Sequence, residues 1–479
     1  MKQIRYITTI LFSALVLFAC NKPEPETPAK LSASMDKLEF GPEGGTATLT
    51  ITSNKDWQAS SSADWVTLSS RVGSANASVT VTVAATEDGE RSAQITITNG
   101  LTNTMTVLQK GATAEGLKSA TIGQFRAASP DQTWYQLTGT IASIASEEYG
   151  NLYIYDDTGY VYVYGLTEDQ VEKNDKSFSH LSLKVGDKVT IAALRTTYNG
   201  IIEAGGNIPA YYIRHNPGEY KYGFKASSTK AGWLELPKTS DTDSFDYLCH
   251  YNTSMKRSYS LYWDYENLVA RWVAYPLNKG LIASGDRTDS WALDPLLPRD
   301  KQAFLAKAYT SGNNGSYDRG HQLPSADRLN YRDNIQTFYG TNSTPQSNSL
   351  NGTGWENIEQ SVRSWSKAAN TDTLYVVTGC DIKDSKFYVY DNDLKKVTVP
   401  VGYFKAVLRY SAKDGYKGLA LYVKNEKLSG GGLTRDVTMS IDELEEKLGY
   451  DFFYNLDDAT EKTVEAAKPA DDQWWWDNK

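Results

Sequence analysis

The chain has 479 residues, enough for roughly three domains at about 150 residues each. It carries 49 Lys+Arg against 58 Asp+Glu, a net charge of -9, which excludes a protein that grips nucleic acid by global positive charge. Its four histidines and three cysteines are not paired at short spacing, which excludes a structural zinc site and an iron–sulfur cluster.

The N-terminus reads as an address. Behind Lys2 and Arg5, an apolar run from Ile10 to Ala19 is too short to span a bilayer and reads as a secretory signal peptide over residues 1–19. It ends in Leu17-Phe18-Ala19-Cys20, which resembles a bacterial lipobox. That resemblance implies diacylation of Cys20, a lipid anchor in the membrane, and an extracytoplasmic place at the outer membrane or cell surface. Residues 20–30 are rich in Pro and Glu, as suits an extended tether. The two other cysteines, Cys249 and Cys380, form either a disulfide or two buried thiols.

Residues 31–112 read as all-β. Thr46-Ala47-Thr48-Leu49-Thr50-Ile51 and Ser78-Val79-Thr80-Val81-Thr82-Val83 alternate with period two, and glycines punctuate them as turns. Five to seven short strands predict an immunoglobulin-like β-sandwich. With Asp56-Trp57, Asp64-Trp65-Val66, Arg91-Ser92-Ala93-Gln94-Ile95 and Val107-Leu108-Gln109-Lys110-Gly111, the segment resembles a BACON domain. The resemblance implies a carbohydrate partner for residues 31–112; a spacer that lifts the following domains off the membrane fits the same residues.

Residues 115–225 predict a second β unit. Leu152-Tyr153-Ile154-Tyr155-Asp156-Asp157 turns through Asp157-Thr158-Gly159 into Tyr160-Val161-Tyr162-Val163-Tyr164. Successive hairpins and the entry Val185-Gly186-Asp187-Lys188-Val189 look like an OB-fold β-barrel. The three tyrosines share one strand face. They either stack bases of a single strand, or cover the barrel surface or pack a neighbouring domain.

Residues 226–479 are long enough for a complete domain with its own core. Leu268-Val269-Ala270-Arg271-Trp272-Val273-Ala274-Tyr275 and Leu374-Tyr375-Val376-Val377-Thr378-Gly379 read as central strands. The stretch 345–369 predicts a loop leading into a helix. Ser440 and Glu443 make a capping-box pattern that opens another. Trp474-Trp475-Trp476 either pack on the domain or form a sticky end.

Two segments of this domain carry chemistry. The first is Asp318-Arg319-Gly320-His321-Gln322-Leu323-Pro324. In a strand, Arg319 and His321 project from one face, and a cation beside an imidazole keeps it neutral and able to accept a proton. The second is Asn342-Ser343-Thr344-Pro345-Gln346, followed by Asn351, Trp355, Glu359 and Arg363. The spacing of four makes these last residues one slanting helical stripe, drifting about 40° per step. An amide, a carboxylate and a guanidinium make a poor core face; an ordinary amphipathic helix would bury only Trp355.

Together these segments, with Arg271-Trp272-Val273-Ala274-Tyr275, Val377-Thr378-Gly379 and Leu444-Glu445 through Asp451-Phe452-Phe453, resemble the DNA/RNA non-specific endonucleases of the ββα-metal type, also called His-Me finger nucleases. The resemblance implies an α+β ββα-metal domain with a central antiparallel sheet. It also implies a Mg²⁺-dependent endonuclease, with Mn²⁺ as a substitute, acting on DNA and RNA and leaving 5′-phosphate ends. His321 matches the general base and Asn351 the direct protein ligand of the metal. Glu359 matches a carboxylate that orients water around that metal. Arg319 and Arg363 match arginines that hold phosphate oxygens. Asp318 belongs to the motif as a supporting residue. Asn342 and Gln346 match polar residues that fix the loop, and Arg287 a further phosphate-binding arginine. His180, His215 and His250 fall outside any motif.

Two other classes compete with the endonuclease. One is a glycan- or nucleic-acid-binding lipoprotein with an inactive nuclease-like domain. The other is a phosphodiesterase acting on a small nucleotide or a wall phosphodiester.

Overall fold

The computed structural model describes residues 28–86, 91–111, 113–171, 173–229, 232–239, 245–469 and 472–478. Cys20 and the 1–19 signal segment lie outside the described residues. The chain divides into two compact units, residues 1–112 and 113–479.

In the first unit, a four-stranded sheet and a five-stranded sheet enclose one core. The alternation along Gly45–Ser53 and Ala77–Val83 has its expected consequence: Leu49, Ile51, Val79, Val81 and Val83 point inward and the intervening threonines outward. Trp57 is buried in that core and donates its indole N–H to the Ala75 carbonyl at 2.9 Å. Trp65 is half-buried, with the Arg91 guanidinium 4.4 Å above its ring.

The second unit begins with a closed barrel. Strands Trp134–Ser146, Asn151–Asp156, Gly159–Thr167, Ile201–Asn216 and Lys188–Tyr198 pair in that spatial order, and the last pairs back onto the first. Closure removes the exposed edges. The Asp157-Thr158 turn is held by the Asp156 carboxylate, which accepts the Thr158 N–H at 2.7 Å and the Gly159 N–H at 3.1 Å. The tyrosine face packs a neighbour. Tyr160 stacks on Tyr331 with ring centres 4.2 Å apart, and Tyr162 lies against Tyr153, whose hydroxyl donates to the Thr288 carbonyl at 2.7 Å. Only Tyr164 of the stripe is exposed. The barrel therefore spends its aromatic face on the following domain.

That domain is built on eight antiparallel strands: Gly223–Ala226, Phe245–Tyr251, Arg257–Asp264, Val269–Leu277, Thr373–Asp381, Gly402–Ser411, Gly415–Lys424 and Thr438–Met439. The two expected central strands pair with each other in the middle. Both faces are covered, so the strands read as long apolar runs. One face carries Val273, Val376 and Val407 against Ile358, Val362 and Trp365 of the helix Glu356–Trp365. The other carries Trp272, Ala274 and Phe404 against Ile441, Leu444, Phe452 and Val464. Cys380 belongs to the first core and Cys249 to the second, so they are free, buried thiols on opposite faces. The capping box forms as written in the sequence: Ser440 Oγ accepts from Glu443 N–H, and Glu443 accepts from Ser440 N–H. The C-terminal tryptophans pack on the domain. Trp475 is fully buried and its carbonyl accepts the Trp365 indole N–H at 3.1 Å.

Candidate active site

Strand Asp318–His321 pairs antiparallel with strand Ser343–Gln346, so that His321 lies opposite Ser343 and Asp318 opposite Gln346. The chain then winds through a wide turn of π-helical geometry, Leu350–Trp355, directly into the helix Glu356–Trp365. This strand–strand–helix unit carries most of the candidate residues.

The strand's alternation aims Arg319 and His321 to one side, where Trp291 meets both. The Arg319 guanidinium sits 3.9 Å above the Trp291 ring, and the His321 ring lies 4.9 Å from it. Phe338 closes the other side of the imidazole at 5.0 Å, edge to face. His321 Nε2 is buried without a hydrogen-bond partner. Burial, and then the charges of Arg287 and Arg319, push its pKa down to about 3. The ring is therefore neutral at physiological pH, with a lone pair to accept a proton. Arg319 donates Nη1–H to the carbonyls of Leu305 and Ala306 at 2.9 and 3.2 Å, which fixes the guanidinium over the indole. Arg287 donates to Ser325 Oγ at 2.9 Å and to Asp289 at 2.8 Å, and lies over Phe338.

At the start of the same strand, Asp318 accepts N–H bonds from Asn351 at 3.1 Å and Asn348 at 3.0 Å. A carboxylate accepts only from the nitrogen end of an amide. The contact thus fixes which way the Asn351 side chain lies and leaves its Oδ1 as the available end.

One, two and three turns on, the stripe continues with Trp355, Glu359 and Arg363. Arg363 donates Nε–H to Asp327 at 2.6 Å; the two side chains are 16% and 2% exposed, so this ion pair is well shielded from solvent. Burial pushes Glu359 up to about 7, against the attraction of Lys405. Lys405 is fully buried; its Nζ donates to Thr378 Oγ1 at 2.7 Å and lies 4.7 Å above the Trp355 ring. Burial pushes this ammonium down to about 8. Trp355 is buried, and Glu359 and Arg363 are half-buried beside charged partners.

The supporting amides hold the loop between the strands. Asn342 Oδ1 accepts the Leu323 N–H at 2.9 Å, and its Nδ2 donates to the Leu323 and Thr337 carbonyls at 2.9 and 2.8 Å. Gln346 is fully buried and packs into the space that Gly320 leaves: a Cβ at Gly320 would lie 2.6 Å from the Gln346 Cβ and 2.5 Å from its Oε1. Gly320→Ala is expected to push the two strands apart, costing about 1–3 kcal/mol. The measurement is thermal unfolding together with nuclease rate; an unchanged melting temperature would contradict the close fit.

Residues 241–459 match the DNA/RNA non-specific endonuclease family, and residues 55–110 match the BACON family, described as a putative binding domain, N-terminal. A nuclease from Nostoc sp. (strain PCC 7120 / SAG 25.82 / UTEX 2576) is 31% identical over 222 residues, which are 44% of this chain and 77% of that protein. The chain belongs to the DNA/RNA non-specific endonuclease family. It is a nuclease, a hydrolase of phosphodiester bonds. Human mitochondrial endonuclease G is 32% identical over 178 residues, 35% of this chain and 58% of that protein. A solved structure titled as the EndoG/EndoGI complex aligns with TM-score 0.35 and 22% identity over 44% of this chain and 86% of that one.

Three residues of this endonuclease's site escaped the sequence reading as partners. Lys405 sits in a largely apolar strand, and alternation with Tyr403 and Val407 aims it at the core under the helix. A lysine in such a run was the available signal. Arg328 is fully buried and donates to the carbonyls of Ser258, Pro276 and Asp327. It anchors the segment after His321, holding the main chain at the Asp327 whose carboxylate accepts from Arg363. Trp291, between Arg319 and His321, comes from a distant loop, and no local pattern announces it. His250 lies away from these groups, buried between Asp294 at 3.0 Å and the Tyr220 hydroxyl at 3.1 Å.

Proposed function

We propose that this endonuclease is Mg²⁺-dependent and sugar-non-specific, cleaving DNA and RNA by water attack to leave 5′-phosphate ends, and that Cys20 tethers it to the cell envelope. The observation that carries the proposal is a neutral, half-buried His321 held on the same strand as the aspartate that orients the Asn351 amide. Mg²⁺ suits one neutral amide oxygen with water and phosphate oxygens completing its sphere, so Asn351 Oδ1 is a fitting protein ligand. When bound, the metal supplies positive charge against the phosphorane and the departing oxygen.

The chain's own groups do the rest. A ring nitrogen of His321 takes the proton of the attacking water, whose oxygen forms the new P–O bond as the 3′-oxygen departs. The phosphate then stays on the 5′-oxygen of the downstream fragment, and the upstream fragment ends in a 3′-hydroxyl. Arg363 uses Nε on Asp327 and turns its terminal nitrogens to phosphate oxygens. Arg319, pinned over Trp291, adds fixed positive charge beside the imidazole. Ionised Glu359 orders water near Asn351. Contacts to phosphate rather than base edges carry no sequence information, which accounts for indifference to sequence and sugar. Residues 31–112 serve as a spacer; a glycan array on them tests the carbohydrate alternative, and palmitate labelling of wild type against Cys20→Ala tests the anchor.

The rate is expected to rise with pH and level off above about 7. His321 is already neutral above about 3, so the acidic limb belongs to Glu359, which loses its proton near 7. Below that point log kcat/KM falls about one unit per pH unit. Glu359→Gln removes the limb and lowers the plateau; a limb that survives this substitution would contradict the assignment. The proposal as a whole is tested by end-group chemistry and competition. Fragments of both polymers should accept label from polynucleotide kinase only after phosphatase treatment, and RNA should inhibit DNA cleavage competitively. Fragments labelled without phosphatase, or independent turnover of the two polymers, would refute it. Turnover of a small diester at the rate of long DNA would favour the phosphodiesterase reading.

A further inference from the structure

On the opposite face of the sheet from the nuclease residues, helices Ile441–Leu448 and Asp458–Glu465 pack on strand Gly415–Lys424 and on each other. Asp442, Glu445 and Glu465 each bring one carboxylate oxygen to within 4.8 Å of the others. Asp442 is exposed, but Glu465 is only 6% exposed and its Oε1 has no hydrogen-bond partner. The charges that weigh most on Glu465 are acidic: Glu445, Glu461, Asp442 and Asp451. Two lysines at the margin are engaged, Lys238 with Asp451 at 3.0 Å and Lys468 with Glu443 at 3.3 Å. Glu445 spends one oxygen on the Phe452 N–H, which ties the cluster to the loop after the first helix.

A buried carboxylate set among other carboxylates is costly unless something positive joins them. A proton is one occupant: burial and the neighbouring acids push Glu465 up to about 9 and Glu445 up to about 7. The donor set points to another. Three carboxylates with no nitrogen or sulfur select a hard cation. Calcium–oxygen bonds of about 2.4 Å let ligands on opposite sides of the ion lie as far as about 4.8 Å apart, and Ca²⁺ accepts irregular geometry. Mg²⁺, with bonds of about 2.05 Å and a strict octahedron, fits such an irregular carboxylate set less well.

We propose that Asp442, Glu445 and Glu465 form a second, structural cation site that binds Ca²⁺ and clamps the two helices and the loop at Phe452 to the back of the sheet. The site is independent of the hydrolytic centre and of the mechanism proposed for it.

Thermal unfolding of the full chain at pH 8, in chelator and then in millimolar Ca²⁺, tests it. Ligand bound only by the folded state raises the melting temperature. A rise of a few degrees is expected in wild type and equally in Asn351→Ala, which removes the proposed catalytic ligand. The rise should vanish in Glu465→Gln and in Asp442→Asn; the latter changes an exposed residue and so keeps the test open if the buried variant folds poorly. Mg²⁺ at the same concentration should give a smaller rise in the Asn351→Ala protein. No rise in wild type, loss of the rise in Asn351→Ala, retention of it in either carboxylate variant, or an equal response to Mg²⁺ would overturn the proposal.

Discussion

Replacing His321 with alanine is expected to lower kcat on DNA and on RNA by about 10³-fold, within the 10²–10⁴-fold range of general-base catalysis. The two losses should match, because one ring serves both polymers. Binding should change little: the imidazole contributes no charge to substrate at physiological pH, since burial and two arginines hold it neutral. The substitution also removes the rings' contacts between Trp291 and Phe338, so the melting temperature is measured alongside. His321→Gln keeps more of that volume and provides no comparable base. If it is as inactive as alanine while melting like wild type, the loss is chemical. Imidazole added to His321→Ala should restore part of the rate, an effect that misfolding would not give.

The second large effect is expected at Asn351. Asn351→Ala should raise the Mg²⁺ concentration for half-maximal rate by at least about 100-fold, beyond the 10–100-fold typical of groups that only support a ligand. Asn351→Asp is the more telling change. It keeps an oxygen ligand, but loses the N–H that Asp318 accepts and sets two carboxylates against each other. It is therefore expected to be impaired at low metal and partly rescued at high metal. Titrating the rate with Mg²⁺ for all three proteins checks this. An unshifted midpoint in Asn351→Ala would remove Asn351 as a ligand.

The sequence was informative where one element carries the whole signal. Alternation placed Arg319 and His321 on one face, and Trp291 indeed meets both. The spacing of four from Asn351 to Arg363 ran along one helical stripe, although its first turn is π-helical rather than α-helical. The capping box at Ser440 is a contact over three residues and needed no tertiary information. What required the fold is equally specific. Lys405 matters only because strand Gly402–Ser411 passes beneath the helix carrying Glu359. The tyrosine face of the barrel is open in sequence to base stacking, to a bare barrel surface and to domain packing; the fold decides it by stacking Tyr331 on Tyr160. The cysteines could not be assigned from spacing, because the sheet between them decides the matter. Net charge was a coarse guide: a chain at -9 still concentrates Arg287 and Arg319 around one imidazole.

The most direct measurement is cleavage of supercoiled plasmid and of an RNA transcript by the purified full chain, side by side, in Mg²⁺ and then in excess EDTA. The account predicts that plasmid passes through nicked and linear forms to fragments, that RNA is degraded under the same conditions, and that EDTA stops both. Intact plasmid and RNA in Mg²⁺, or undiminished cleavage in EDTA, would contradict it.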